Sequence, residues 1–263
     1  MEVLAYAPWQ KRAALGRLVL GLLFMGFLLW LGWAVAAEGD WAWGLGLGLV
    51  ALLLGLFLYP SAVGPLMRWG FQVVLEPEGI RVGGRLYPRE GFSGLEGPFR
   101  GEGTEAQWQR LMEVGRLSAG PLFHLAFHGE RVPLWLDLPG WDRMLAHLGV
   151  DWKEHPALAR YLHSVRGLAW LNGLLYPPKE VEEEWERARR RYQRLFAWLW
   201  MGVGLAVGGL ALGDASEVVG QILFYGGLAL AAYASFALFG GRSLRDGWAE
   251  RYNPFREKEG ARG

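Results

Sequence analysis

His124 and His128 are the nearest approach this chain makes to a metal-ligand pair, and their spacing argues against one. On a strand, an interval of four residues separates them by about 13 Å, too far to share an ion. His147, His155 and His163 are scattered on segments of helical periodicity and read as surface or partly buried residues. No Ser-His-Asp order, His-Glu-x-x-His, phosphate loop or dinucleotide fingerprint occurs. The chain has no cysteine, which excludes disulfides, thiolate catalysis, iron–sulfur clusters and Cys-type zinc sites. The glutamates between Glu180 and Glu186 could serve a membrane enzyme acting on lipid or peptidoglycan precursors, but a solvated helix start explains them more simply. The expectation is a protein that is not an enzyme, with no cofactor and no metal.

Charge, rather than catalysis, is the chemistry on offer at Arg187-Ala188-Arg189-Arg190-Arg191-Tyr192-Gln193-Arg194. On a helix, Arg187, Arg190, Arg191 and Arg194 share a face while Arg189 points elsewhere. Basic groups beside a membrane attract anionic headgroups by about 1 kcal/mol per charge, so these four are the candidate lipid contacts. The competing reading is that they only set topology, and both roles are compatible.

Those arginines precede one of four long apolar segments, about 16–37, 41–59, 195–213 and 218–239. Each is long enough to cross a hydrocarbon core of about 30 Å as a helix. Apart from Arg17 at the mouth of the first, they contain no ionisable acid, Lys, Arg or His, which argues against ion or proton transport. Lys11, Arg12 and Arg17 lie at the entrance to the first, and Arg242, Arg245 and Arg251 follow the fourth. The short turns carry Glu38, Asp40, Asp214 and Glu217 instead. By the positive-inside rule both termini and the middle domain face the cytoplasm, in a multi-pass protein of the inner membrane. Trp30, Trp33, Trp41 and Trp43 then gather at the outer interface. Ala34-Val35-Ala36 resembles a signal-peptide cleavage site, but the run is too long and a second span follows at once, so an uncleaved helix is expected.

Small residues recur at four-residue spacing: Gly44 and Gly48, Gly204 and Gly208, Gly209 and Gly213, Gly227 and Ala231. Such spacing lets helices approach closely in lipid. It fits a dimerisation face or internal packing of a four-helix bundle, the second being the simpler reading. Gln221 and Tyr225 read as an interhelical hydrogen-bonding pair rather than a pathway.

Five regions follow: 1–65, N-terminal tail and first hairpin; 66–150, a cytoplasmic domain; 151–194, a helical stalk; 195–241, a second hairpin; 242–263, a cytoplasmic tail. Tyr59-Pro60 is expected to end the second span. Within the middle domain, alternation and turn chemistry predict strands at Phe71–Leu75, Ile80–Val82, Arg85–Tyr87, Phe92–Phe99, Leu122–His128 and Arg131–Leu136. A short helix is expected to interrupt them around Thr104–Gly115, opened by a capping box. Helices are then expected at Trp141–Leu148, across Pro156–Tyr176, and from Lys179 without a break into the third span.

Leu75-Glu76-Pro77-Glu78-Gly79-Ile80, Arg85-Leu86-Tyr87-Pro88 and the late strand pair before Leu138-Pro139-Gly140-Trp141 give the domain a familiar order. It resembles the pleckstrin-homology-like (PH-like) domains of small bacterial membrane proteins over about Met67–Leu148. The resemblance implies a curved sheet or partly open barrel with a C-terminal helix, on a membrane α-helical anchor of two hairpins. It also implies binding or scaffolding, with membrane lipids and a protein partner or second copy as partners, and no nucleic acid. The domain's arginines alternate with as many acidic residues, so a phosphoinositide pocket is not expected. The alternative is an accessory subunit whose spans pack against a larger membrane enzyme or transporter.

Overall fold

The computed structural model describes residues 1–97, 123–212, 216–240 and 246–255. The helix expected around Thr104–Gly115, Gly213, Asp214, Arg242 and Arg245 lie outside them. The chain forms two compact units, Met1–Ala159 and Arg160–Gly263. Among the described residues, three helical stretches are long and apolar enough to cross a membrane: Pro8–Ala37, Trp41–Met67 and Glu217–Phe239.

In the first unit, strand β1 (Glu2–Ala5) precedes helix α1 (Pro8–Ala37), and a turn at Gly39 leads into α2 (Trp41–Leu58). The helix does not stop at Pro60. A π turn, Tyr59–Val63, carries the chain into α3 (Gly64–Met67), with the Gly64 amide donating to the Tyr59 carbonyl. The wider turn lets the chain pass a proline whose missing N–H and ring would break an α-helix.

Beyond the hairpin come β2 (Gln72–Glu76), β3 (Gly79–Val82) and β4 (Arg85–Pro88), which with β1 form an antiparallel sheet in the order β1-β2-β3-β4. β1 was not legible as a strand. It pairs with β2 from Glu2↔Leu75 to Ala5↔Gln72, so the chain crosses a complete helical hairpin between two neighbouring strands. Gly83 and Gly84, both at positive φ, make the two-residue turn between β3 and β4.

A second antiparallel sheet holds β5 (Phe92–Glu96), β6 (Phe123–Phe127) and β7 (Glu130–Leu134). The turn between β6 and β7 is His128-Gly129, one residue earlier than the pattern suggested, with His128 at φ 40°. Among the described residues, neither sheet closes into a barrel. Tyr87 and Phe127 bring β4 and β6 together with ring centroids 5.4 Å apart.

Helix α4 (Trp141–His147) follows, entered through Gly140 at φ 82° beside the Leu4 side chain. His147 Nε2 lies 2.8 Å from the Glu76 carbonyl and 3.1 Å from that of Gly79, pinning α4 to the β2–β3 turn. The core contains Leu4, Ile80, Phe123, Leu125, Leu134, Leu138, Trp141 and Leu145, all buried. Each such side chain stabilises the fold by about 1.5–3 kcal/mol relative to exposure.

The boundary between the units falls within α5 (Pro156–Ser164). The single helix expected to Tyr176 is broken, and α6 (Gly167–Leu171) starts afresh. The break is held by Asn253, whose Nδ2 donates to the carbonyls of Leu162, His163 and Val165 at 2.9–3.2 Å. Gly167 presses on the Ala249 carbonyl in α9 (Trp248–Arg251), where a Cβ would collide.

A 3₁₀ turn at Lys179–Val181 then leads into α7 (Glu182–Leu212), a helix of 31 residues, charged at its start and apolar toward its end. The segment expected to span from Leu195 is the second part of α7; it is not one of the three stretches above. α8 (Glu217–Phe239) returns beside it.

Candidate site at the foot of the first hairpin

Arg68 leaves the second long helix of the first unit and meets a residue far along the chain. Its Nη2 donates to Asp137 Oδ2 at 2.7 Å, and its Nε donates to the Tyr6 hydroxyl at 3.1 Å. Tyr6 in turn donates to Asp137 Oδ1 at 2.9 Å. The guanidinium carbon sits 3.9 Å from the centre of the Trp135 ring.

Gln10, buried in the first turn of α1, donates to the Asp137 carbonyl and accepts from the Ala7 amide. Three segments are therefore tied at one point: the entry to α1, the exit from α3, and the loop after β7. Burial, and next the Asp137 charge, push the Tyr6 hydroxyl well above the ordinary tyrosine range. Burial alone would lower Arg68, but the carboxylate beside it prevails and the guanidinium is held more firmly charged. Such a site can hold the hairpin and sheets in fixed relation; it has no exposed nucleophile. The sequence signal for it was Asp137, an acid between Leu136 and Leu138 in an otherwise apolar run.

The arginines of α7 divide by exposure. Arg187, Arg190, Arg191 and Arg194 are exposed, and Arg189 is buried. Arg190 pairs with Glu186 at 3.2 Å, and Arg191 lies over the Trp248 ring at 4.8 Å. Burial lowers Arg189 from the usual arginine value, and its guanidinium lies over the Trp185 ring at 5.2 Å.

The glycines divide as well. Gly44 abuts the Gly32 carbonyl and Ala36 Cβ, so it closes the first hairpin. Gly209 abuts Phe224 and Gly220, and Gly202 meets Gly227 and Ala231, closing the α7–α8 hairpin. Gly48, Gly204 and Gly208 have open space where a side chain would stand. Gln221 donates to Glu217 on its own helix.

Among the described residues, no group of three or more acids or histidines could hold a metal ion. His155 Nδ1 accepts from the Leu158 amide, so its Nε2 carries the proton and donates to the Leu95 carbonyl at 3.3 Å. Burial, then the nearby Arg131 charge, lowers His124 below the usual histidine value. On the sheets Arg81 pairs with Glu76, Arg85 with Glu130 and Arg131 with Glu96. No family model matches the chain, and no curated protein or solved structure is significantly similar to it.

Proposed function

We propose that this is a non-enzymatic integral membrane protein that presents a PH-like binding or scaffolding module at the inner leaflet. The observation that carries the reading is the pairing of β1 with β2 across the first hairpin. A folded module whose neighbouring strands are separated by two apolar helices is built into its anchor rather than trailed from it. The four-stranded and three-stranded sheets followed by α4 agree with a PH-like arrangement.

In this reading the apolar end of α7 supplies a fourth span, paired with α8, and both termini are cytoplasmic. The ion pairs along the sheets favour a protein ligand over a polyanionic headgroup for the module itself. A second reading, an accessory subunit packing through its spans, is favoured by the open faces at Gly48, Gly204 and Gly208.

Native mass spectrometry of the protein extracted with its lipids tests the two. A stoichiometric partner that survives mutation of the sheet surface, but not bulky substitution at those glycines, would support the second. A partner lost on mutation of the sheet surface supports the first.

A further inference from the structure

We propose that Lys11, Arg12, Met67 and Trp69 form a collar at the foot of the first hairpin that binds the headgroups of anionic phospholipid. The inference rests on the membrane reading above. Met67 is 74% exposed and Trp69 45%, whereas the large apolar side chains on the described strands of the neighbouring sheets are buried or half-buried, Val3 excepted. The Lys11 ammonium stands 5.3 Å over the Trp69 ring, so α1 and the end of the second helix present one cationic, aromatic edge. Arg12 is exposed next to it.

Depth supports the assignment. From Lys11 to Ala37, α1 rises about 39 Å, close to a bilayer of about 40–45 Å with its headgroup layers, and its apolar run from Arg17 to Ala37 rises about 30 Å, matching the hydrocarbon core. Trp30, Trp33, Trp41 and Trp43 are all exposed at that far end. When these indoles occupy one interface, Lys11 and Trp69 fall at the other. Indole favours that level, the thioether of Met67 reaches toward acyl chains, and the two cations meet lipid phosphate.

The collar lies beside Arg68, so the node at Asp137 sets the module's height above the lipid surface. The occupant is a lipid, because the edge continues an apolar hairpin of bilayer length.

The chain has no cysteine, so a single one can be placed cleanly. Gly70 is exposed, with nothing within 4 Å of where a Cβ would stand, and Gly70→Cys leaves all four collar residues intact. The full chain, spin-labelled there, is reconstituted into vesicles of phosphatidylcholine with and without phosphatidylglycerol. The label is expected at headgroup depth, with collisions with a water-soluble nickel chelate falling severalfold when phosphatidylglycerol is present. In a Lys11→Gln, Arg12→Gln background that dependence disappears.

A label that is fully aqueous, or that shows the same phosphatidylglycerol response without the two cations, overturns the collar. Release of the parent protein from membranes by alkaline carbonate overturns the membrane reading itself. Retention in the membrane with no lipid response overturns the collar alone.

Discussion

Arg68 and Asp137 form an ion pair at 2.7 Å between residues 69 positions apart, joining the exit of a helical hairpin to the loop behind the last strand. Both side chains are largely buried, 16% and 9% exposed, and Tyr6 bridges them. A charge left alone in such a place is costly, whereas an apolar replacement of the whole group need not be.

Asp137→Ala is therefore expected to destabilise the first unit by about 3 kcal/mol, since it strands the Arg68 charge. The triple variant Arg68→Met, Asp137→Leu, Tyr6→Phe should recover most of that loss. Denaturant unfolding of the detergent-solubilised protein distinguishes the two, and equal losses would remove the ion pair from the account.

Gly202→Leu should open the α7–α8 hairpin, because its side chain would enter the backbone of Ala231 and Gly227. Gly204→Leu, pointing into open space, should leave the melting temperature of the same hairpin unchanged. A comparable drop in both variants would mean that Gly204 faces a neighbour.

Burial, and then the Arg131 charge, lowers His124 below the usual histidine value. The unfolded chain binds its proton at the ordinary histidine value of about 6.5, whereas the fold binds it only at lower pH. Its contribution to stability is complete above that ordinary value and is lost as pH falls from there through the folded value. The thermal midpoint should fall on acidification from neutral pH, and His124→Gln should flatten that fall. An unchanged slope would assign the acid sensitivity to other groups.

Replacing Arg187, Arg190, Arg191 and Arg194 together with Gln should weaken the hold of α7 on anionic lipid. Hydrogen exchange in lipid nanodiscs reads it as lost protection of the first turns of α7. Protection equal to that of the parent would leave these arginines a topological role only.

Asn253→Ala removes the donor to three carbonyls at the α5–α6 break, leaving buried acceptors worth about 1–3 kcal/mol. Trypsin should then cut at Arg251, which the parent is expected to resist. Equal cleavage rates would show that the segment is held by Gly167 and its neighbours instead.

Much of the architecture was readable because lipid and turn chemistry write strongly into sequence. The long apolar runs, the Gly83-Gly84 turn and the alternation of Phe123, Leu125 and Phe127 each have one dominant physical cause. β1 escaped because four residues, Glu2–Ala5, are too few to show a period, and their partner lies beyond a hairpin. The break at Val165–Arg166 escaped because its cause, Asn253, is remote in sequence. The π turn escaped because proline ordinarily ends a helix. The exposed arginines of α7 followed from helical periodicity alone, but which glycines touch a neighbour depended on how each hairpin is rotated, which a four-residue spacing does not encode.

The position of β1 also fixes an order of events during synthesis. This strand leaves the ribosome before its partner β2 has been translated, with two apolar helices still to come. In the proposed membrane reading, its buried Leu4 and the adjoining Tyr6 wait, unpaired, until the hairpin has been handed to the membrane and the chain has come back. In that reading the first sheet is completed only after the hairpin has been inserted. A copy that fails to insert would keep β1 and β2 apart and expose an unfinished sheet edge to quality control.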